Sequence, residues 1–124
     1  MIYSERQSAL VDIDRATEFV GDDVDQYSSL IKFDKPYEKF VIEIPTIDNS
    51  TVTFYAQQND VISTVPLPLH YRQASDNATA LWATTAGTGG LRMVIDAGLA
   101  QFVRIRTGSN QTADRTFYVT GLRS

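Results

Sequence analysis

From residue 27 onward, apolar and polar positions alternate with a period of two. Phe40, Ile42 and Ile44 alternate with Val41 and Glu43 before Pro45. Val52, Phe54 and Ala56 alternate with Thr51, Thr53 and Tyr55. Successive side chains of a strand point to opposite faces, so each run predicts a strand with one buried side. Residues 27–33, closed by Asp34-Lys35-Pro36, read as an earlier short strand. Residues 79–84 and 91–95 read as two more, joined by a glycine-rich hairpin loop at 86–90. Residues 101–107 and 116–122 read as the last two, separated by Gly108-Ser109-Asn110. Residues 61–69 are apolar but contain Pro66 and Pro68, which restricts them to an edge strand or an irregular crossing. Seven or eight short strands with polar turns predict an all-β fold, an antiparallel β-sandwich of jelly-roll type over residues 27–124. Its predicted core is Phe40, Ile42, Ile44, Val52, Phe54, Val103, Ile105, Phe117 and Val119.

The first 26 residues differ. Leu10, Ile13, Thr17 and Val20 recur at helical spacing, and Gly21-Asp22-Asp23 would stop a helix. A short helix at 8–20 and an extended arm are both compatible with this segment, because its β-branched residues and Asp weaken a helix. Leu10, Val11, Ile13, Phe19 and Val20 are too apolar for a wholly solvated tail. Burying one such side chain contributes about 1.5–3 kcal/mol. Residues 1–26 are therefore expected to form an attachment or subunit-exchange arm outside the sandwich core. Leu10, Ile13, Phe19 and Val20 are its candidate partner-binding residues.

Charge sharpens this division. Residues 1–62 carry 12 acids and 5 bases, whereas residues 63–124 carry 3 acids and 6 bases, all six arginines. Arginine favours fixed, planar ion pairs. Arg104 and Arg106 share one face of a strand whose other face carries Val103 and Ile105. Together with Arg115 they are candidates to pair with carboxylates, from the acidic half of this chain or from a neighbouring subunit.

Composition then removes whole classes of chemistry. The chain has 124 residues, no cysteine, one histidine and a formal net charge of −4. Disulfides, thiolate metal sites and thiol nucleophiles are excluded. The acidic balance argues against nucleic acid as a partner. No apolar run reaches the length of a membrane helix, and the first residues lack a signal-peptide pattern, so a soluble, cytoplasmically made protein is expected. His70 has no flanking carboxylate and no partner imidazole. Gly87-Thr88-Gly89-Gly90 lacks the Lys-Ser/Thr and the helix that a phosphate loop requires. Asp22-Asp23-Val24-Asp25 lacks the glycine and glutamate spacing of a calcium loop. No catalytic residues, no metal site and no cofactor are expected, and the chain reads as a non-enzyme. Trp82 and the other aromatics read as core or interface residues. The three Asn-x-Thr/Ser sequences read as polar turns.

Residues 98–117, Gly-Leu-Ala-Gln-Phe-Val-Arg-Ile-Arg-Thr-Gly-Ser-Asn-Gln-Thr-Ala-Asp-Arg-Thr-Phe, carry a more particular pattern. An aromatic-x-basic-apolar-Arg strand is followed by Thr-Gly, an Ala-Asp-Arg turn and a final strand. Val41-Ile42-Glu43-Ile44-Pro45, then Ser50-Thr51-Val52-Thr53-Phe54-Tyr55-Ala56, and Ser28-Ser29-Leu30-Ile31-Lys32-Phe33 extend it. In these stretches the chain resembles small structural proteins of tailed bacteriophages that decorate or cement the capsid. Residues 57–97 depart from that pattern, with Val65-Pro66-Leu67-Pro68-Leu69 where the family has an Asp-Gly turn. The resemblance implies a β-sandwich virion protein on the capsid exterior. It would bind the major capsid protein and itself, commonly as a homotrimer. A tail-associated or carbohydrate-binding β-sandwich is the alternative.

Overall fold

The computed structural model describes residues 3–11, 27–60, 67–68, 70–72, 79–81, 83–109 and 111–123. Ile13, Phe19, Val20 and Trp82 lie outside the described residues, as does most of the segment expected as a helix or arm. Seven strands are described: β1 (Tyr3–Val11), β2 (Ile31–Gln57), β3 (Leu67–Pro68), β4 (His70–Arg72), β5 (Thr79–Leu81), β6 (Ala83–Thr107) and β7 (Arg115–Arg123). β4 and β5 form a separate antiparallel pair. The other five make one antiparallel sheet in the order β1-β7-β2-β3, with β6 also paired to β2. The all-β, antiparallel expectation holds, and every residue of the predicted core is buried.

Architecture departs from the expected jelly roll of many short strands. Two strands of 27 and 25 residues carry most of the sheet. β2 runs through Pro36 and Pro45, where the sequence reading ended strands. The glycine-rich stretch 86–90 is not a hairpin loop but part of β6, with Gly87 opposite Ser50 and Gly89 opposite Thr46. Gly89 has a φ of 75°, and a Cβ there would come within 1.9 Å of the Pro45 carbonyl oxygen. A side chain is excluded twice over, by backbone conformation and by close approach. Glycine here thus marks an irregularity inside a strand, not its end.

The registers show how the long strands bend. Val103 of β6 pairs with Ile31 and also with Ala56. Both ends of β2 therefore flank one segment of β6, each antiparallel to it, so β2 must curl round to bring its end beside the segment that its start pairs with. Its register shifts between Thr46 and Val52 mark the bend. β6 bends where Gly98 and Leu99 take φ values of 58° and 62°. The result is one continuous sheet with two limbs. The first contains β1, β7, residues 39–44 of β2 and 91–96 of β6. The second contains residues 52–57 of β2, 102–107 of β6, and β3. Phe40, Ile42, Ile95, Phe117 and Val119 of the first limb share one buried cluster with Val52, Phe54, Val103 and Ile105 of the second.

The N-terminal boundary also moves. Residues 3–11 form an edge strand paired with the last strand over nine positions, from Tyr3 with Arg123 to Val11 with Arg115. Ala9 and Val11 are wholly buried in the shared core. This part of the expected helix or arm belongs to the sheet. Its alternation, Ala9 and Val11 in against Ser8 and Leu10 out, has the strand period.

Candidate interaction surface

Four groups of polar side chains are fixed by this fold. The first lies on the outward side of the first limb. Residues opposite each other in antiparallel strands share a face, so the registers define three rows across β1, β7, β2 and β6. They are Ser8–Tyr118–Glu43–Arg92, Arg6–Thr120–Val41–Val94 and Ser4–Leu122–Lys39–Asp96. Arg6 Nη2 donates to Glu43 Oε2 at 2.8 Å and its guanidinium lies 4.0 Å from the centre of the Tyr118 ring. Arg92 Nε lies 3.6 Å from Glu43 Oε1, and Lys39 Nζ 3.4 Å from Asp96 Oδ1. The Arg6 hydrogen bond, reinforced by the charges of Arg6 and Arg92, holds the Glu43 carboxyl below its ordinary pKa. Val94 is 57% exposed on this face.

The second group fastens β1. Burial alone would raise the Glu5 pKa. Hydrogen bonds from Gln7, from the Asp34 N–H and from the Tyr37 hydroxyl outweigh that, helped by the charge of Lys35, and lower it. The Tyr37 hydroxyl donates to Glu5 Oε1 at 2.8 Å. Gly121 makes this reach possible, because a Cβ there would come within 2.4 Å of the Tyr37 ring. Burial first, and the Glu5 carboxylate second, push the Tyr37 pKa up to about 12.

The third group holds the turn before β7. Asp48 Oδ2 accepts the Thr112 N–H at 2.6 Å, and Asp48 Oδ1 meets Arg115 Nη2 at 3.3 Å. Gln111 Oε1 accepts from the Asp48 N–H at 2.8 Å and from Arg115 Nε at 3.2 Å. Hydrogen bonds from Thr112 dominate in holding the Asp48 pKa below its ordinary value. Asn49, Ser50, Thr51, Gly108 and Ser109 line a shallow polar depression beside it.

The fourth group lies on the outward side of the second limb. Arg104 is fully buried, and its Nη1 donates to the Ser28 carbonyl at 2.9 Å. Ser28 also bonds β6 through its backbone N–H to Ile105 O at 2.7 Å, and its Oγ accepts the Ile105 N–H at 2.9 Å. Arg106 Nη1 lies 3.5 Å from the Tyr55 hydroxyl and its guanidinium 5.4 Å from the Tyr27 ring centre. Tyr27 and Tyr55 meet edge to face at 5.2 Å.

The candidate residues read from the sequence are therefore dispersed. Arg104 and Arg106 do share a face, but Arg104 bonds the Ser28 carbonyl on the neighbouring edge and Arg106 lies against the Tyr27 ring. Arg115 pairs with Asp48, a carboxylate of this chain's own acidic half. Leu10 is 38% exposed on β1, with its carbonyl taking the Ser29 N–H and its N–H donating to Ser29 Oγ. The face of paired charges at Arg6, Glu43, Arg92, Lys39 and Asp96 was missed by sequence reading. The period-two signal would have placed Lys39 and Glu43 on one face, and Arg92 and Asp96 on another. Only strand registry brings the two sets together. Among the described residues, no group of His, Asp and Glu is arranged to hold a metal ion, and no helix is long and apolar enough to cross a membrane.

Fold and site together define an all-β protein built on one curled five-stranded antiparallel sheet, with Glu43 and Asp96 paired to basic side chains across strands. No protein-family model matches the chain, and no curated protein matches it. Its fold is similar to the crystal structure of the SPBc2 prophage-derived protein YomS, with a TM-score of 0.60 at 10% sequence identity. The match covers 99% of this chain and 96% of that one.

Proposed function

We propose that this chain is a bacteriophage structural protein that binds the outside of the capsid and stabilises it. The observation that carries the reading is the whole-chain fold similarity to a prophage-derived protein. The capsid-decoration pattern in residues 28–56 and 98–122 supports the same reading. The protein acts by contact, without catalysis or cofactor. A shell under internal pressure fails where subunits join, and a protein bound across a joint adds contact free energy that must be lost before the subunits part. Many equivalent sites on one lattice reinforce one another. The major capsid protein is the expected partner, and self-association the expected mode of assembly.

The test is to mix the purified protein with undecorated phage heads and follow co-sedimentation and resistance to heat. Saturable binding that raises the temperature of DNA release supports decoration. Binding to tails, or retention on host-surface glycans with no binding to heads, moves the protein to the tail-associated or carbohydrate-binding class.

A further inference from the structure

The outward face of the first limb carries a charge pattern that is complementary to itself. Its rows are Ser8–Tyr118–Glu43–Arg92, Arg6–Thr120–Val41–Val94 and Ser4–Leu122–Lys39–Asp96. We infer that a second copy of this chain packs against this face, related by a two-fold axis that runs along the middle row. Such an axis turns the first row of one copy onto the third row of the other. Glu43 then faces Lys39 of the second copy, and Arg92 faces Asp96. Tyr118 meets Leu122, and Val41 and Val94 meet their own counterparts. A two-fold axis parallel to the strands sets β1 over β6 and β7 over β2 instead. It opposes Glu43 to Tyr118 and Lys39 to Leu122, and pairs no opposite charges.

Each copy already holds Glu43 near Arg92 at 3.6 Å and Lys39 near Asp96 at 3.4 Å. Stacking the two rows closes a square of alternating charge, Glu43 and Arg92 from one copy with Asp96 and Lys39 from the other. The two-fold makes two such squares. Arg6 is the charge that faces its own counterpart. It sits at the β1 rim and is held by Glu43 and the Tyr118 ring. The face is open: Arg92 and Asp96 side chains are 69% and 71% exposed, and Val94 is 57% exposed. Aligned sheets pack about 30° apart, which keeps the central rows within side-chain reach. An isologous contact of this kind uses the same patch twice and closes at two copies. Four strands about 4.8 Å apart make a patch roughly 20 Å wide. That is at the small end for a stable interface, so the pair forms in a concentration-dependent manner. Self-association through this face is independent of any virion.

Sedimentation equilibrium over a concentration series tests the pairing, with thermal melting to show that each variant is folded. The wild-type chain should move from one copy to two. R92D sets a new carboxylate against Asp96 of the second copy, and D96R sets a new guanidinium against Arg92 of the second copy. Each variant alone should dimerise at least about tenfold more weakly, because like charges are brought together. Mixing R92D with D96R opposes the new carboxylate of one copy to the new guanidinium of the other. The mixed pair also keeps one native Arg92–Asp96 contact, so two-copy association should be restored. A wild-type chain that stays a single copy overturns the inference, as does a three-copy mass. So does association unchanged in the single variants, or a mixture that does not recover.

Discussion

Arginines on the outward sides of the two limbs meet opposite conditions. On the first limb Arg6 and Arg92 lie in solvent and pair with Glu43 across strands. On the second, Arg104 is fully buried and gives a hydrogen bond to the Ser28 carbonyl. Both sets arise from the same alternation of side chains along a strand. What differs is the segment that each arginine meets. Residues 27–28, just before β2, pair along the edge of β6, with Tyr27 bridged to Arg106 and Ser28 bonded to Ile105, and the Tyr27 ring reaches over this side to the Arg106 guanidinium and the Tyr55 ring. An exposed ion pair contributes about 0–1 kcal/mol. A buried guanidinium is costly to desolvate, and its loss also strands the carbonyl it satisfies. The same residue type is thus a surface feature on one limb and a structural pin on the other.

The largest break in this comparison is expected at Arg104. Arg104→Ala removes a buried side chain and leaves the Ser28 carbonyl without that donor, at a cost of roughly 3 kcal/mol. Arg104→Met keeps most of the volume and should lose about half as much, as packing is preserved while the hydrogen bond is not. Urea unfolding measures both, and equal losses would show that packing does not contribute.

Gly121→Ala comes next. Its Cβ would enter the Tyr37 ring at 2.4 Å, and displacing a buried ring costs about 1–3 kcal/mol. The melting temperature should fall, and the double variant Gly121→Ala/Tyr37→Ala should show less than the sum of the two losses. Full additivity would place the damage elsewhere.

The Glu5–Tyr37 hydrogen bond should be visible from both ends of the pH scale. The folded-state pKa of Tyr37 is raised from 10.0 to about 12. Its contribution is therefore complete below pH 10 and is lost as pH rises toward 12. The folded-state pKa of Glu5 is lowered from 4.5, so its contribution is present above that value and is lost as pH falls through the folded-state value. Stability measured against pH should fall at both ends. Tyr37→Phe should flatten the alkaline fall and cost about 1 kcal/mol at neutral pH. Glu5→Gln should flatten part of the acid fall.

The smallest effect is expected on the open face. Lys39→Ala should change monomer stability by less than about 0.5 kcal/mol, since the Lys39–Asp96 pair is solvated. A loss as large as that of Arg104→Ala would erase the contrast between the limbs.

Much of the strand pattern was legible locally. Phe40, Ile42 and Ile44, and Val103 and Ile105, alternate over a few residues, and a strand has only two sides. The strand boundaries were less legible, because Pro36, Pro45 and the glycines at 87–90 are turn residues by local chemistry. In the fold they occupy irregularities within β2 and β6. In β1, Leu10 fits both a helical and a strand spacing in the sequence. Pairing with β7, which comes more than a hundred residues later, places it in a strand.

The sequence by itself determined that this protein is built from strands with a defined apolar side, since period-two alternation is a property of neighbouring residues. It also determined that no cysteine chemistry operates here. Tertiary structure alone decided that the two ends of β2 flank one segment of β6, that residues 3–11 complete the sheet, and that Glu43 meets Arg6 and Arg92. It also decided that Arg104 is buried while Arg92 is exposed. Alternation assigns a side chain to a face, but whether that face meets water, core or the side chains of a neighbouring segment depends on contacts between residues far apart in the chain.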